Sequence, residues 1–360
     1  FNDAERMAGK AGDVRSRALL LLTYGILWGV SEGDLDEYTR LAREGIALAE
    51  ESGDPGLYVT LATGGYAPYC IGEYRESVTI CDRAIELADG DPTVAAGIVV
   101  GCPYAWCHGF KGFVLVILGE LEEAGKLIEQ GRTIAREQGD IEVIGWSHMW
   151  SAWLAYVHGE PEAALGHGQQ ALEIAERIGD SFSRAWAWFQ LGLAQRMQGE
   201  WERAIEAIER SIAIAREGRT AREGDAWRLA LLGECYLGLG DAERARTLVA
   251  EGLKIAPVRG HAAYEIVANL ALARVLLGSV GAAGRAEIEA ALSRALELVG
   301  ETGAKTFEPM IHVELAELAR QTDDEEDRQL QLRDAHRLFT EIGASGQAER
   351  LAGELALLAS

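Results

Sequence analysis

The stretch Trp188–Ala215, WFQLGLAQRMQGEWERAIEAIERSIAIA, decides the fold, and Leu229–Pro257, LALLGECYLGLGDAERARTLVAEGLKIAP, repeats its plan. In each, an apolar helical run stops at a glycine followed by an acidic residue, Gly199-Glu200 and Gly240-Asp241, and a second amphipathic run begins. Glycine takes the left-handed conformation that ends a helix, and a carboxylate suits the positive N-terminus of the next one. Small residues such as Gly192 and Ala204 let two antiparallel helices approach closely, while large ones such as Leu191 and Ile208 fill the adjoining holes.

The same punctuation runs outward in both directions. Gly33-Asp34, Gly72-Glu73, Gly119-Glu120, Gly159-Glu160, Gly199-Glu200 and Gly240-Asp241, with a weaker Gly278-Ser279, are separated by 39, 47, 40, 40, 41 and 38 residues. One helix-turn-helix unit of about 40 residues therefore repeats along the chain, and an all-α superhelix (solenoid) of about eight helix pairs is expected as a single domain over 1–360. Composition agrees, since 360 residues with 48% hydrophobic, 42 Gly and only 7 Pro suit a long helical array with short turns.

The residues Trp188, Leu191, Gly192, Gly199, Ala204, Ile208 and Ser211 resemble the large and small positions of a tetratricopeptide repeat. Leu229, Leu232, Gly233, Tyr236, Gly240, Ala245, Val249, Gly252 and Pro257 follow in the same register, including the proline that closes the second helix in that family. The period of about 40 resembles the long repeats at the C-terminal end of bacterial signalling ATPases, the maltose-regulator-type activators and the class III adenylate cyclases with an ATPase module. The segment DAHRLFTEIGASGQAERLAGELALLAS resembles the closing segment of the cyclase-associated versions. By that resemblance the superhelix is right-handed, and the chain is the sensor or protein-interaction region of a larger regulatory protein.

AERMAGKAGDVRSRA, from Ala4 to Ala18, parallels ALEIAERIGDSFSRA, from Ala171 to Ala185, so residues 1–13 read as the remnant of a preceding repeat. At the other end a long acidic loop, Asp323 to Asp327, is expected to precede an amphipathic capping helix over 345–360.

A formal charge of -23 disfavours direct contact with nucleic acid or anionic lipid. Five cysteines without framework spacing, and an apolar run around Ala18 to Val30 too short to span a bilayer, point to a cytoplasmic protein without a membrane anchor.

The first helix of each pair should line the concave side, where four consecutive units place Trp106, Trp146, Trp186 and Trp227 at intervals of 40, 40 and 41 residues. Tyr66, Tyr69, Phe113, Met149, Trp153, Tyr156, Phe189 and Leu193 continue this stripe, with Arg196 and Glu234 as its clear charges. Two readings stand: the tryptophans pack between neighbouring first helices and set curvature, or they line a groove for a peptide, a protein segment, an upstream domain of the same chain or a small effector. The scarcity of Lys, Arg and Asn on these positions disfavours a clamp for a terminal carboxylate.

The third unit carries about seven extra residues, within DGDPTVAAGIVVGCPYAWCHGF, where Pro103 should disturb a helix. The segment reads as a lengthened loop, with a lid or docking edge as the functional alternative. Cys102, Cys107 and His108 fall short of a zinc signature, and His148, His158 and His167 lie too far apart in sequence to share a helix face. No phosphate-binding loop, dinucleotide fingerprint or nucleophile elbow occurs, so neither catalytic residues nor cofactors are expected. The expected mechanism is binding, the alternatives being a passive scaffold that self-associates, including as a homodimer, and an enzyme with an unrecognised groove site.

Overall fold

Turn chemistry divides the chain into helices in the computed structural model, which describes residues 2–358. The helices are α1 (Asn2–Ala11), α2 (Val14–Glu32), α3 (Leu35–Ser52), α4 (Pro55–Leu61), α5 (Tyr66–Cys70), α6 (Tyr74–Ala88), α7 (Pro103–Leu118), α8 (Leu121–Gln138), α9 (Ile141–His158) and α10 (Pro161–Ile178). They continue with α11 (Ser181–Met197), α12 (Trp201–Glu217), α13 (Asp225–Gly238), α14 (Ala242–Arg259), α15 (Ala262–Ser279), α16 (Arg285–Thr302), α17 (Glu308–Gln321), α18 (Glu325–Ile342) and α19 (Ser345–Leu358). From α2 to α18 they form eight antiparallel pairs, an all-α tetratricopeptide-like solenoid flanked by α1 and α19. Of the expected 345–360 cap, Ala359 and Ser360 lie outside the described residues, as does Phe1 of the expected 1–13 remnant.

The acidic residue after each turn glycine is the N-cap of the second helix. Asp34 and Asp241 accept from the backbone N–H of Glu37 and Arg244, whereas Glu73, Glu120, Glu160 and Glu200 cap without such a bond. Inside a pair the small residues work as packing requires: a β-carbon on Gly112 would sit 2.7 Å from the Ala124 carbonyl oxygen and 3.0 Å from the Ile128 nitrogen.

Several local expectations are corrected. Pro103 does not disturb a helix; it is the first residue of α7, where its missing N–H was unpaired anyway. Gly278 lies inside α15, and the turn there is made at Gly281, φ 60°. Pro257 lies within α14, which runs two residues further to Arg259 before the Gly260 cap. The acidic run is not a loop: Asp324 caps α18, accepting from the Asp327 N–H, and Glu325, Glu326 and Asp327 form its first turn, where the helix dipole favours negative charge. Pair two has a broken first helix, α4 and α5 joined by a 3₁₀ turn at Ala62–Gly65, because Pro68 removes a helical donor and Gly64 sits against Leu22. Among the described residues one helix, α15, is apolar and long enough to pass for a membrane span, but it is packed inside the solenoid against α13, α14 and α16.

The superhelix closes on itself. A β-carbon at Gly72, the turn of pair two, would lie 2.9 Å from Ala262 and 2.8 Å from Thr302 of pair seven. One at Gly119, in pair three, would lie 2.8 Å from Ile342 and 3.3 Å from Lys305, at the two ends of pair eight. Gly159 of pair four meets Gln347 of α19, and Glu32 at the end of α2 accepts from Arg219 at 2.8 Å, just before pair six. Each turn thus docks about five pairs further along, and Gly72 and Gly119 are needed twice, for a positive φ (87° and 78°) and for the close approach. The inner faces of the first helices consequently meet across the axis and form one continuous core instead of an open groove.

Candidate functional site

The space left inside the closed turn is a cavity of about 330 Å³. Of the residues expected to face a groove, Tyr66, Tyr69, Trp106, Phe113, Trp146, Met149, Trp186 and Trp227 line it. Trp153, Tyr156, Phe189, Leu193 and Arg196 do not. Trp153, 1% exposed, stacks on Tyr156 (4.8 Å between centroids, 16°) and meets Trp227 edge-on at 4.8 Å. Phe189, fully buried, fills the gap beneath Trp186 and Trp227 at 5.6 and 4.8 Å, and Leu193 is buried behind it. These residues are core because the closed turn brings α17 and its leading 3₁₀ turn against them; Phe307 lies 6.2 Å from Trp153. Trp106, Trp186 and Trp227 are at most 9% exposed and pack on other rings, as the packing reading expects, and each also borders the cavity.

The ladder is built in layers. Trp106 stacks on Phe110, one helical turn later, at 4.4 Å and 19°, and Phe110 touches Tyr66 and Tyr69 of the broken pair-two helix. Trp227 leans on Tyr264 of α15 at 5.2 Å, and Trp146 donates its Nε1 to Ser183 Oγ on the next first helix, 3.1 Å. Phe110, Trp150, Gln190 and Tyr264 are cavity residues that the register argument missed. Their signal was present as i, i+4 partners of the ladder residues (Trp106-Phe110, Trp146-Trp150, Trp186-Gln190), whereas Tyr264 reaches the cavity only through closure.

The lengthened third unit forms part of the wall. Its loop, between α6 and α7, contributes Val99 and Val100, and is pinned where the Cys102 N–H donates to Asp140 Oδ2 at 2.7 Å. Asp140 also caps α9 through the Glu142 and Val143 N–H groups, so one carboxylate fixes the loop and the helix that carries Glu142 and Trp146. Cys102 is the N-cap of α7 and donates its Sγ–H to the Pro92 carbonyl at 3.3 Å, while Cys107, inside α7, neighbours Cys81 of α6. The trio Cys102, Cys107 and His108 is thus divided, and among the described residues no group of three metal-type ligands gathers.

Buried charge lies around the cavity. Glu223, 1% exposed, accepts from Tyr66 Oη at 3.1 Å and Trp186 Nε1 at 3.2 Å, and burial, opposed by Arg228, pushes its carboxyl up to about 7. Fully buried Arg228 donates to Ser211 Oγ and the Ala221 carbonyl, with its guanidinium 4.5 Å from the Trp186 ring centre. Glu142, at the cavity edge, is also pushed up to about 7 by burial and by repulsion from Asp180 and Asp140.

A second ladder accompanies the aromatic one. Arg196 (α11), Glu234 (α13), Arg274 (α15) and Glu314 (α17) occupy equivalent positions: Arg196 pairs with Glu234, and Arg274 reaches Glu234 at 2.9 Å and Glu314 at 2.7 Å. Burial raises the Glu234 carboxyl, but Arg196 and Arg274 outweigh it and hold it below its ordinary range. Arg196 and Glu234 are therefore not groove charges but members of this buried row. His148 and His167, separated in sequence, also come together, on α9 and α10, with their Nδ1 atoms 3.0 Å apart. Helices of one pair lie side by side, so sequence distance did not measure their separation.

The tetratricopeptide repeat family model matches residues 147–217, and the model for anaphase-promoting complex subunit 5 matches 111–158. No curated protein matches the sequence. Among solved structures, the Rap conjugation gene regulator of plasmid pLS20, in complex with the Phr* peptide, superposes with TM-score 0.61 at 14% identity, over 81% of this chain and 76% of that one. A Rap protein complexed with competence and sporulation factor gives TM-score 0.58 at 13% identity, over 95% and 97%. Aspartyl phosphate phosphatase F from Bacillus subtilis gives 0.53 at 14%, over 81% and 74%. The chain thus has the tetratricopeptide-like superhelical fold of these structures, with the repeat itself matched over residues 147–217.

Proposed function

We propose that this tetratricopeptide-repeat chain is a non-enzymatic sensor and interaction domain of a regulatory protein, and that it takes a peptide segment or small effector into the aromatic cavity. The observation that carries this reading is the origin of the walls: Ile26 and Val30 come from pair one, Tyr66 from pair two, Trp227 from pair six and Tyr264 from pair seven. An occupant touching all of them favours the closed turn by the difference in its affinity for closed and open forms, and that preference is what a neighbouring module or partner can read. A volume of about 330 Å³ admits a small molecule or the anchoring side chains of a peptide.

Two structures of this fold were captured with a bound factor, one with the Phr* peptide and one with competence and sporulation factor, which supports a binding role for the fold here. The lining, among the described residues, holds one carboxylate and no histidine, cysteine or lysine, and so favours binding over acid–base or nucleophilic chemistry. Thr220 stands half-buried at the cavity edge, and Thr220→Trp plugs the entrance without entering the core. Native mass spectrometry after exposure to a cell extract is expected to show a retained ligand on the wild-type chain and none on this variant. Identical spectra for the two refute the cavity as the binding site.

A further inference from the structure

We infer that the occupant is an organic cation, a quaternary or protonated amine with an apolar body, held on the aromatic walls with its charge toward Glu142. The inference rests on the binding reading above and names the ligand class.

Three observations converge on it. First, the polar atoms of the nearest indoles are already used inside the wall, Trp146 Nε1 by Ser183 and Trp186 Nε1 by Glu223, so these tryptophans offer ring surface to an occupant. The electron-rich face of an aromatic ring attracts a cation, most strongly for Trp and in a desolvated site. Second, charge at the cavity edge is uncompensated. Asp140 and Asp180 spend their oxygens capping α9 and α11, and Asp140 also holds the Cys102 N–H, whereas the Glu142 carboxylate has no hydrogen-bond or ion-pair partner among the described residues. Among the described lining residues none is Lys, Arg or His. The buried guanidinium of Arg228 stands behind the wall, engaged by Ser211, Ala221 and Trp186. Third, Gln190, 6% exposed and part of the lining, has its Oε1 buried without a partner and adds a second acceptor.

Each alternative class leaves a cost. An anion meets the Glu142 carboxylate, with the charges of Asp140 and Asp180 beside it. A neutral apolar ligand strips the remaining water from Glu142 and offers it nothing in return, which is expensive for a carboxylate. A cation relieves the mutual repulsion of Asp140, Glu142 and Asp180 and uses the ring faces as well.

The test compares benzyltrimethylammonium with its neutral carbon isostere neopentylbenzene by isothermal titration calorimetry and tryptophan fluorescence quenching, on wild type, Glu142→Gln and Thr220→Trp. The expected result is at least about tenfold tighter binding of the cation by wild type. Glu142→Gln should erase that preference while leaving the isostere unaffected, and Thr220→Trp should weaken both. Glu142→Gln is isosteric and its helix is capped by Asp140; should it fail to fold in a thermal melt, the wild-type preference alone decides. Equal binding of the two probes overturns the cation assignment and leaves the binding cavity standing. A preference that survives Glu142→Gln overturns the role of Glu142, and no binding of the cation overturns the inference outright. Undiminished binding of both probes by Thr220→Trp removes the cavity, and with it the proposed function.

Discussion

Replacing Glu223 with Gln tests the buried charge at the centre of the fold. Gln keeps an acceptor oxygen for the Tyr66 hydroxyl and the Trp186 indole, now 3.1 and 3.2 Å from Glu223 Oε1, and removes only the titration. Burial raises the folded-state pKa from 4.5 to about 7, so the native protein holds a proton that the unfolded chain has given up. The stabilisation from that proton is complete below about pH 4.5 and is lost as pH rises through about 7, because the ionised form must then be kept in the core. At about 1.4 kcal/mol per pH unit the wild type loses on the order of 3 kcal/mol across this window through Glu223 alone. At pH 6 the native carboxyl is about 0.9 protonated and the unfolded one almost fully ionised, so unfolding releases about 0.9 proton from this residue. Proton release on urea unfolding in weakly buffered solution at pH 6 should fall by that amount in Glu223→Gln. The stability difference between the two proteins should move in the variant's favour from pH 5 to pH 8. Equal proton release by the two proteins would refute the reasoning and place Glu223 as an ionised partner of Arg228 throughout.

Gly112→Ala drives a β-carbon onto the backbone of Ala124 and Ile128, and urea midpoints should report a loss of about 1–3 kcal/mol; an unchanged midpoint would show that the α7–α8 contact can spread freely. Arg274→Met removes the middle of the buried charge row, leaving Glu314, with a side chain 12% exposed, without its guanidinium. The expected loss is about 3 kcal/mol at neutral pH, shrinking as pH falls, since Glu234, whose pKa is depressed, contributes stability only while ionised. A loss below about 1 kcal/mol, measured in the same way, would class this row with exposed ion pairs.

The repeat was legible because it rests on local rules. Gly33, Gly72, Gly119, Gly159, Gly199 and Gly240 all have positive φ, and the acidic residue after each is an N-cap, as local turn chemistry demands. Where the punctuation was weak, at Gly278, the expected turn fell three residues from the observed one. The acidic run at Asp323 to Asp327 misled because its composition matches an exposed loop and a helix first turn equally well; only the Asp324 cap distinguishes them.

The candidate site divides along a similar line. Eight of the thirteen residues placed on the groove by period line the cavity, since a constant repeat keeps Trp106, Trp146, Trp186 and Trp227 on one face whatever the curvature. The period cannot say how far that face is from the opposite wall. Curvature accumulates from small rotations at every pair interface, and the contacts that reveal it, such as Gly72 with Thr302 or Tyr66 with Glu223, join residues 230 and 157 positions apart.

By itself, then, the sequence determined the helix pairs, their register and the aromatic inner face, all set by interactions within about one repeat. Only the tertiary structure decided that the turn closes after about five pairs. Closure turned Trp153 and Phe189 into core, brought Glu223 beneath the rings, and left a cavity with Glu142, unpaired among the described residues, at its edge. The physical reason is that burial depends on what lies across the axis, and that partner is supplied by chain far away in sequence.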